Sequence, residues 1–418
     1  MEALAPLPRL PGFDHTLTLL KQGYDFIGNG CRAAGSDGFE TRLMLRNVLC
    51  LQGAGAAELF YGHNLFSREG ALPPTTLRLL QDKGSVQGLV DAAHEARKAM
   101  FVRLLMELPP DTMVGLFERE FLSARKEWAR KDEIEFFSAI NHVLTRAVCA
   151  WAGVVLEPDE MQRLCRSLVG MVEHAGKVGP LTMGELLRRN AIESRVRGWI
   201  RAVREGRMDV PEDGPLAVIA RHRDAAGELL PLKDAAVELI NILRPVVAVG
   251  RWMLFLALAL HDHPEWRMRF ALGEDEPMEP FAEEVRRLYP FFPLVAGTAR
   301  RPFEWRGKRY PAGQWVLLDL YGTNRDPERY AQAELFQPGQ APSWRDQGFD
   351  FIPQGGGDAR QDHRCPGERL TLALMVSCTR LLTRALDYDV PEQDLTLPLN
   401  RMPTRPRKGL RMRVRPLT

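Results

Sequence analysis

Two places in this 418-residue chain combine residue type and position in a way that could do chemistry. The first is Cys365, in the run FIPQGGGDARQDHRCPGERLTLALMVSC, where a glycine-rich loop gives way to a helical pattern. Pro366 suits a first helical position because it has no N–H to leave unbonded, so the pattern predicts a helix from there to about Leu386. A thiol at that junction faces free backbone N–H groups and the positive end of a helix. With His363 and Arg364 adding charge, it is expected to be held as thiolate. Such a thiolate is a nucleophile or a metal ligand, and the alternative for a lone cysteine is a small buried hydrophobe. The second place is Arg244-Pro245, inside KDAAVELINILRPVVAVGRWMLFLALAL. Proline within a helix removes a hydrogen bond and bends the chain. An arginine on the apolar side of such a helix keeps its charge and needs an anion. No acid lies within one turn of it, and Glu238 is the protein carboxylate it could otherwise pair with.

The elements that must position these residues are mostly helical. His15 to Ile27, Ala92 to Leu108 and Gly184 to Gly206 carry apolar residues at helical spacing with charged outer faces. Two hairpins are expected, at Phe39 to Gly53 and at Phe303 to Gly322, and the tail GLRMRVRPL alternates like a strand with one wet side. Glu284 and Arg287, in EVRR, stand three apart and can pair across one helical turn. No repeat or linker divides the chain, so the expectation is a mainly α fold with small β-sheets, one domain over residues 1–418. The 45% hydrophobic and 26% charged content excludes a disordered chain. With 56 basic against 54 acidic residues, the net charge of +2 argues against a protein built around a nucleic-acid backbone. The basic run from Arg401 to Arg415 reads as a solvated strand face, and HDHP (His261 to Pro264) as a helix end rather than a metal site. Six cysteines without C-x-x-C spacing exclude a disulfide scaffold and a structural zinc module. The opening residues lack an export signal, and Val246 to Leu260 falls short of the ~20 residues that span a bilayer. A cytoplasmic protein with no membrane span is expected.

Taken together, these residues resemble the cytochrome P-450 family, in which a loop ending in Cys-x-Gly supplies the axial thiolate of haem b. Cys365-Pro366-Gly367 matches that ending, and Glu284 with Arg287 matches the family's E-x-x-R pair. IPQGGG, EVRRLYPFFP, VLLDLYGTN and ELINILRPVVAV are similar to the branch of bacterial fatty-acid peroxygenases. The resemblance implies haem between the central and the cysteine-side helices, with Cys365 on iron. Arg68, His94 and Lys98 would serve the haem propionates, and Gln354 and His363 would lie near the proximal side. It further implies that Arg244-Pro245 replaces the usual acid–alcohol pair. A fatty-acid carboxylate would dock on Arg244 through parallel charge-assisted hydrogen bonds and act as general acid–base toward hydrogen peroxide, with no redox partner protein.

Hydroxylation at the alpha or beta carbon is the activity so implied. Gln87, in SVQGLVDAAHEARK, matches a substrate-channel position where decarboxylating relatives tend to carry histidine. Glutamine cannot exchange a proton near neutral pH, which favours hydroxylation over decarboxylation to terminal alkenes. Val172, Phe291 and Phe292 would also contact substrate. Two departures stand out. Gln340 takes the place of the family's third partner arginine, so a weaker brace under the haem is expected, and Gln81 stands where relatives often have an aromatic residue. The competing classes are a conventional monooxygenase fed by redox partners, a non-catalytic haem-thiolate lipid binder, and, more remotely, a hydrolase using Cys365 and His363. The reading leaves room for a homo-oligomer.

Overall fold

The structure, a computed structural model, describes residues 7–416 apart from 178 and 347. The helices among these residues are α1 (Thr16–Gln22), α2 (Phe26–Ala34), α3 (Ala54–Tyr61), α4 (Pro74–Leu80), α5 (Asp91–Val102), α6 (Asp111–Trp128), α7 (Phe136–Ala152) and α8 (Pro158–Glu173). They continue with α9 (Pro180–Arg204), α10 (Pro215–Arg221), α11 (Leu232–Asp262), α12 (Pro264–Ala271), α13 (Met278–Leu288), α14 (Leu320–Thr323) and α15 (Glu368–Arg384). The strands are β1 (Gly38–Leu43), β2 (Arg46–Leu51), β3 (Phe66–Ser67), β4 (Ile134–Glu135), β5 (Leu294–Ala299), β6 (Phe303–Trp305), β7 (Lys308–Tyr310), β8 (Trp315–Asp319), β9 (Asp387–Asp389) and β10 (Arg411–Arg415). The mainly α fold with small sheets is as expected.

The predicted hairpin at Phe39 is present, with Phe39 opposite Cys50 and Leu43 opposite Arg46. The second hairpin is shorter than expected. Only β6 and β7 pair there, Phe303 opposite Tyr310. Beyond Gly313, which turns with φ +82, β8 has all five residues buried. A strand buried on both faces belongs inside a sheet, and β8 lies between β2 and β5 in the order β1-β2-β8-β5-β3. The helical pattern at the start also breaks. Gly23 adopts φ +59, and a Cβ there would sit 2.1 Å from the Leu399 carbonyl oxygen, so α1 ends and a short 3₁₀ turn leads into α2. The basic tail runs as β10 between β4 and β9. Arg411 and Arg413 meet Glu133, and Arg415 meets Asp387 and Asp389.

The main core gathers around α11, whose 31 residues exceed the apolar stretch expected from sequence. The helix is long and apolar enough to cross a membrane, yet 89% of its most apolar window is buried inside the fold. It packs against α7, α8, α9 and α15, and a helix apolar all round is a core helix in that setting. It continues without a break through Pro245. α11 carries Arg244-Pro245, and Cys365 lies in the loop just before α15.

Candidate active site

The cysteine loop is shaped by glycine. Gly355 and Gly357 take φ +97 and +83, and a Cβ on Gly356 would come within 3.0–3.1 Å of Ile352, Phe349 and Tyr61. Side chains at these positions would strain or crowd the loop. The Cys365 N–H donates to the Gln354 carbonyl at 3.0 Å. The helix begins at Glu368, not at Pro366, with Gly367 as its N-cap. The electrostatic expectation for Cys365 also needs correction. Burial raises its thiol above the ordinary range, with the Gly367 N–H the first of the groups that oppose this, followed by Lys98 and the Gln354 amide. His363 adds no charge. Burial, then Arg68, His94 and Lys98, push it down to about 2, so it is neutral. Arg364 is committed to Glu368 at 2.7 Å. The bare fold therefore favours the thiol, and a metal ion is what would hold it as thiolate.

Beneath the loop lies a buried set of ion pairs. Arg287 grips Glu284 through two hydrogen bonds of 2.9 and 2.8 Å and also donates to the Ala333 and Leu335 carbonyls. Gln340 donates to Glu284 at 2.9 Å, beside the Gln337 N–H at the same distance. The amide supplies a neutral donor where an arginine would have stood, a weaker hydrogen bond than a charged one. A second chain runs from Glu283 through Arg286 and Glu368 to Arg364, whose Nη2 donates to the Trp344 carbonyl at 2.7 Å. This chain ties α13 to the residue next to Cys365. Arg286, Glu283 and Glu368 were not singled out from sequence, although the E-x-x-R register hints at them.

Four of the predicted cofactor residues converge. Lys98 donates to the Arg364 carbonyl at 2.7 Å. The His94 and His363 rings lie 4.6 Å apart. Burial, with Lys98 next, lowers His94 to about 4. Lys98 falls to about 8 by burial, against the pull of Cys365. Arg68 donates to the Ala296 carbonyl at 2.9 Å, lies over the Phe60 and Tyr61 rings, and is lowered by burial. Gln354 reaches Thr371 Oγ1 at 3.3 Å through its Nε2, and its Oε1 is buried without a partner.

On the opposite side, one face of α11 presents Glu238, Asn241 and Arg244 at successive turns. Glu238 accepts from Arg97 at 2.6 Å and from the Val86 N–H at 2.8 Å. Asn241 donates to Glu238 at 3.0 Å and to Gln87 Oε1 at 3.4 Å, and accepts from Arg244 Nη2 at 3.1 Å. Arg244 also donates to the Leu80 carbonyl, and its Nε is buried without a partner. Burial, then Arg189, lowers it to about 9, which leaves it cationic at neutral pH. The protein carboxylate that could have neutralised Arg244 is held by Arg97. Arg97 and Asn241 were not recognised from sequence; the three-residue spacing of 238, 241 and 244 was the available signal. Val172 lines a small cavity of about 10 Å³ with Phe137, Val247 and Arg251. Phe291 stacks on Trp252 at 4.5 Å and meets Phe292 edge-on at 4.7 Å. Gln81 keeps its Oε1 buried and unpartnered.

No protein-family model matches the chain. Cytochrome P-450 137 of Mycobacterium tuberculosis is 23% identical over 84% of this chain and 76% of its own. Human cytochrome P-450 4A11 is 26% identical over 46% of this chain and 40% of its own. Solved structures are more similar. Cytochrome P-450 SP alpha (CYP152B1), bound to (R)-ibuprophen, is 41% identical with a TM-score of 0.92, covering 96% of this chain and 98% of that one. The chain belongs to the cytochrome P-450 family. Within it, cytochrome P-450 EX alpha (CYP152N1) with myristic acid is 37% identical at TM-score 0.93, over 98% of both chains. A variant of cytochrome P-450 OleT with arachidonic acid is 30% identical at 0.94, over 99% of both. The protein is a haem-thiolate oxidoreductase homologous to the CYP152 fatty-acid peroxygenases.

The family's cofactor is haem with thiolate-ligated iron, and the residues present fit it. Cys365 would ligate the iron. Half-buried Arg68 and buried Lys98 are cations whose hydrogen bonds go to backbone carbonyls, which suits them, with His94, to the propionates. The unpartnered Oε1 of Gln354 and Nε of Arg244 are polar atoms that a bound group or substrate would satisfy.

Proposed function

We propose that this cytochrome P-450 hydroxylates fatty acids at the alpha or beta carbon with hydrogen peroxide, the substrate's own carboxylate serving as the acid–base group. The observation that carries this reading is Arg244. It is buried and cationic, and it is left without a carboxylate because Arg97 takes Glu238. A fatty-acid carboxylate satisfies it best through paired charge-assisted hydrogen bonds. Asn241 holds the guanidinium from the side, and Gln87, bound to the same amide, flanks the anchored head group.

When bound, the haem thiolate supplies transfer of an oxygen atom from peroxide. The chain supplies position. A carboxylate fixed on Arg244 stands where the missing acid–alcohol pair would act. It can take a proton from hydrogen peroxide and return it to the oxygen that leaves as water. Pinning the head group places the first carbons of the chain closest to the reacting oxygen, so the new hydroxyl falls near the acid end. Cys365, Arg68, His94, Lys98, Gln354 and His363 are assigned to the cofactor, and Val172, Phe291 and Phe292 to the acyl chain. The whole chain acts as one haem-thiolate unit, with fatty acid and peroxide as its partners and no reductase.

Mass spectrometry of products after adding peroxide and a series of fatty acids tests this reading. Hydroxy acids from the native protein, and none from a haem-loaded Arg244→Ala variant, are expected. Turnover that requires a reductase and oxygen would overturn it, and terminal alkenes as the main product would correct the reaction.

A further inference from the structure

The buried stripe of α9 carries charge where a core-facing helix is ordinarily apolar. Glu185, Arg189 and Glu193 follow one another four residues apart, and all three are buried. The helix packs against α4, α8 and α11. Most of these charges are answered nearby. Arg188 holds Glu185, while Arg78 of α4 holds Asp82 and reaches Glu193 at 2.9 Å. Arg189 is left over. It is fully buried, yet its Nη2 stands 3.7 Å from Asp82 and its Nε 4.0 Å from Glu193, beyond hydrogen-bond length. Its Nη1 faces the Met171 thioether at 3.7 Å, a weak acceptor. Nε and Nη2 have no hydrogen-bond partner among the described residues. Arg286, Arg287 and Arg364, buried as deeply, each donate to a glutamate. A buried guanidinium with five donors and no oxygen acceptor calls for a ligand that brings one.

The place of Arg189 ties it to the fatty-acid anchor. Burial, then Arg78, lowers it to about 10, so it stays cationic, and it is the charge that Arg244 feels. Leu80, Gln81 and Asp82 run from one arginine to the other. The Leu80 carbonyl accepts from Arg244, Asp82 faces Arg189, and Gln81 between them keeps its Oε1 buried without a donor. Charge decides which kind of oxygen suits this place. Arg78 and Arg189 are balanced by Asp82 and Glu193, and Arg244 is left for one carboxylate. A second carboxylate beside Arg189 would meet the like charges of Asp82 and Glu193, which oppose it. A hydroxyl carries no charge and both accepts and donates. One such group can take an Arg189 N–H and give its own hydrogen to Gln81.

We infer that the preferred substrates are hydroxylated fatty acids: Arg244 anchors the carboxylate, and Arg189, with Gln81, binds a hydroxyl carried farther along the acyl chain. The inference rests on the Arg244 reading above and names the substrate class that site selects. Calorimetric titration of the haem-loaded protein tests it, with hexadecanoic acid, its positional series of monohydroxy derivatives, and hexadecanedioic acid. At least one hydroxy isomer should bind roughly tenfold or more tighter than the plain acid, because a site built to bond a hydroxyl rejects the analogue lacking it. Arg189→Met should abolish that preference. Gln81→Leu, which breaks no ion pair, should reduce it by roughly three- to tenfold, and it decides the matter alone should Arg189→Met fail to fold. A preference left intact in Gln81→Leu would overturn the inference. So would a plain acid that binds as tightly as every hydroxy isomer, which leaves Arg244 as anchor and Arg189 holding only an internal water. A diacid bound more tightly than any hydroxy isomer would overturn it on charge. Failure of the plain acid and all its derivatives to bind would sink the Arg244 reading, and this inference with it.

Discussion

Arg97 holds the Glu238 carboxylate at 2.6 Å, and by doing so keeps an acid on the same helix from neutralising Arg244. Asn241 stands between the two charges, its amide donating to one and accepting from the other. The unneutralised charge of Arg244 is therefore set by Arg97, Glu238 and Asn241 together.

Replacing Arg97 by leucine should expose this dependence. Removing one partner of a buried ion pair costs about 3–5 kcal/mol. The freed Glu238 should then weaken fatty-acid binding, raising KM by roughly tenfold, which corresponds to about 1.4 kcal/mol. Adding Glu238→Gln to the Arg97→Leu protein should restore most of the affinity. Spectral titration with a fatty acid reads the effect, and unchanged affinity in the single variant would contradict it.

The brace under the cysteine loop gives a graded prediction. Glu284→Ala strips Arg287 of both charged hydrogen bonds and should cost roughly 3–5 kcal/mol with loss of haem. Gln340→Ala removes one donor to the same carboxylate and should cost only about 1–2 kcal/mol, with haem retained. Denaturant melts and haem content separate the two.

These braces show what sequence could and could not reveal. Glu284–Arg287 is legible because both partners sit one turn apart, and Cys365 because loop, glycine and helix converge on it. Glu283 has the same one-turn spacing to Arg286, and Glu368 lies four residues from Arg364; what stayed hidden is the Arg286–Glu368 link that joins the two pairs across elements, where the distance along the chain carries no signal. His363 misled for a related reason: a histidine beside an arginine reads as positive charge, yet burial among Arg68, His94 and Lys98 makes it neutral. β8 was assigned to the wrong partner because a buried five-residue strand pairs wherever the sheet has room, and its turn residues do not say where.

Asp319 gives a pH signature away from the haem site. Burial lifts it from 3.8 to about 7, against the Gly322 N–H that it caps, and its Oδ2 is buried unpaired. Between about pH 4 and 7 the folded state binds this proton and the unfolded chain does not. The contribution is fully present below about pH 4, is lost as pH rises to about 7, and is flat above. Asp319→Asn should keep the cap and raise stability at pH 8 by the order of 1–3 kcal/mol, with little change at pH 4. Thermal melts across that range check the slope.

Gln87 should steer the product. Its Oε1 is 3.4 Å from the Asn241 amide, and a histidine there would place a group that exchanges protons near neutral pH beside the anchored head group. Gln87→His should raise the share of terminal alkene relative to hydroxy acid, measured by gas chromatography of the products. An unchanged ratio would remove Gln87 from the reaction's control.

The central claim is that the guest brings its own acid–base group. The most direct measurement compares peroxide-driven oxidation of a fatty acid with that of a carboxyl-free molecule of like shape, with and without a short carboxylic acid in solution. The account predicts rapid oxidation of the fatty acid, almost none of the carboxyl-free molecule alone, and recovery when the short acid is added, all lost in Arg244→Ala. Equal oxidation of the carboxyl-free molecule with no acid present would contradict it.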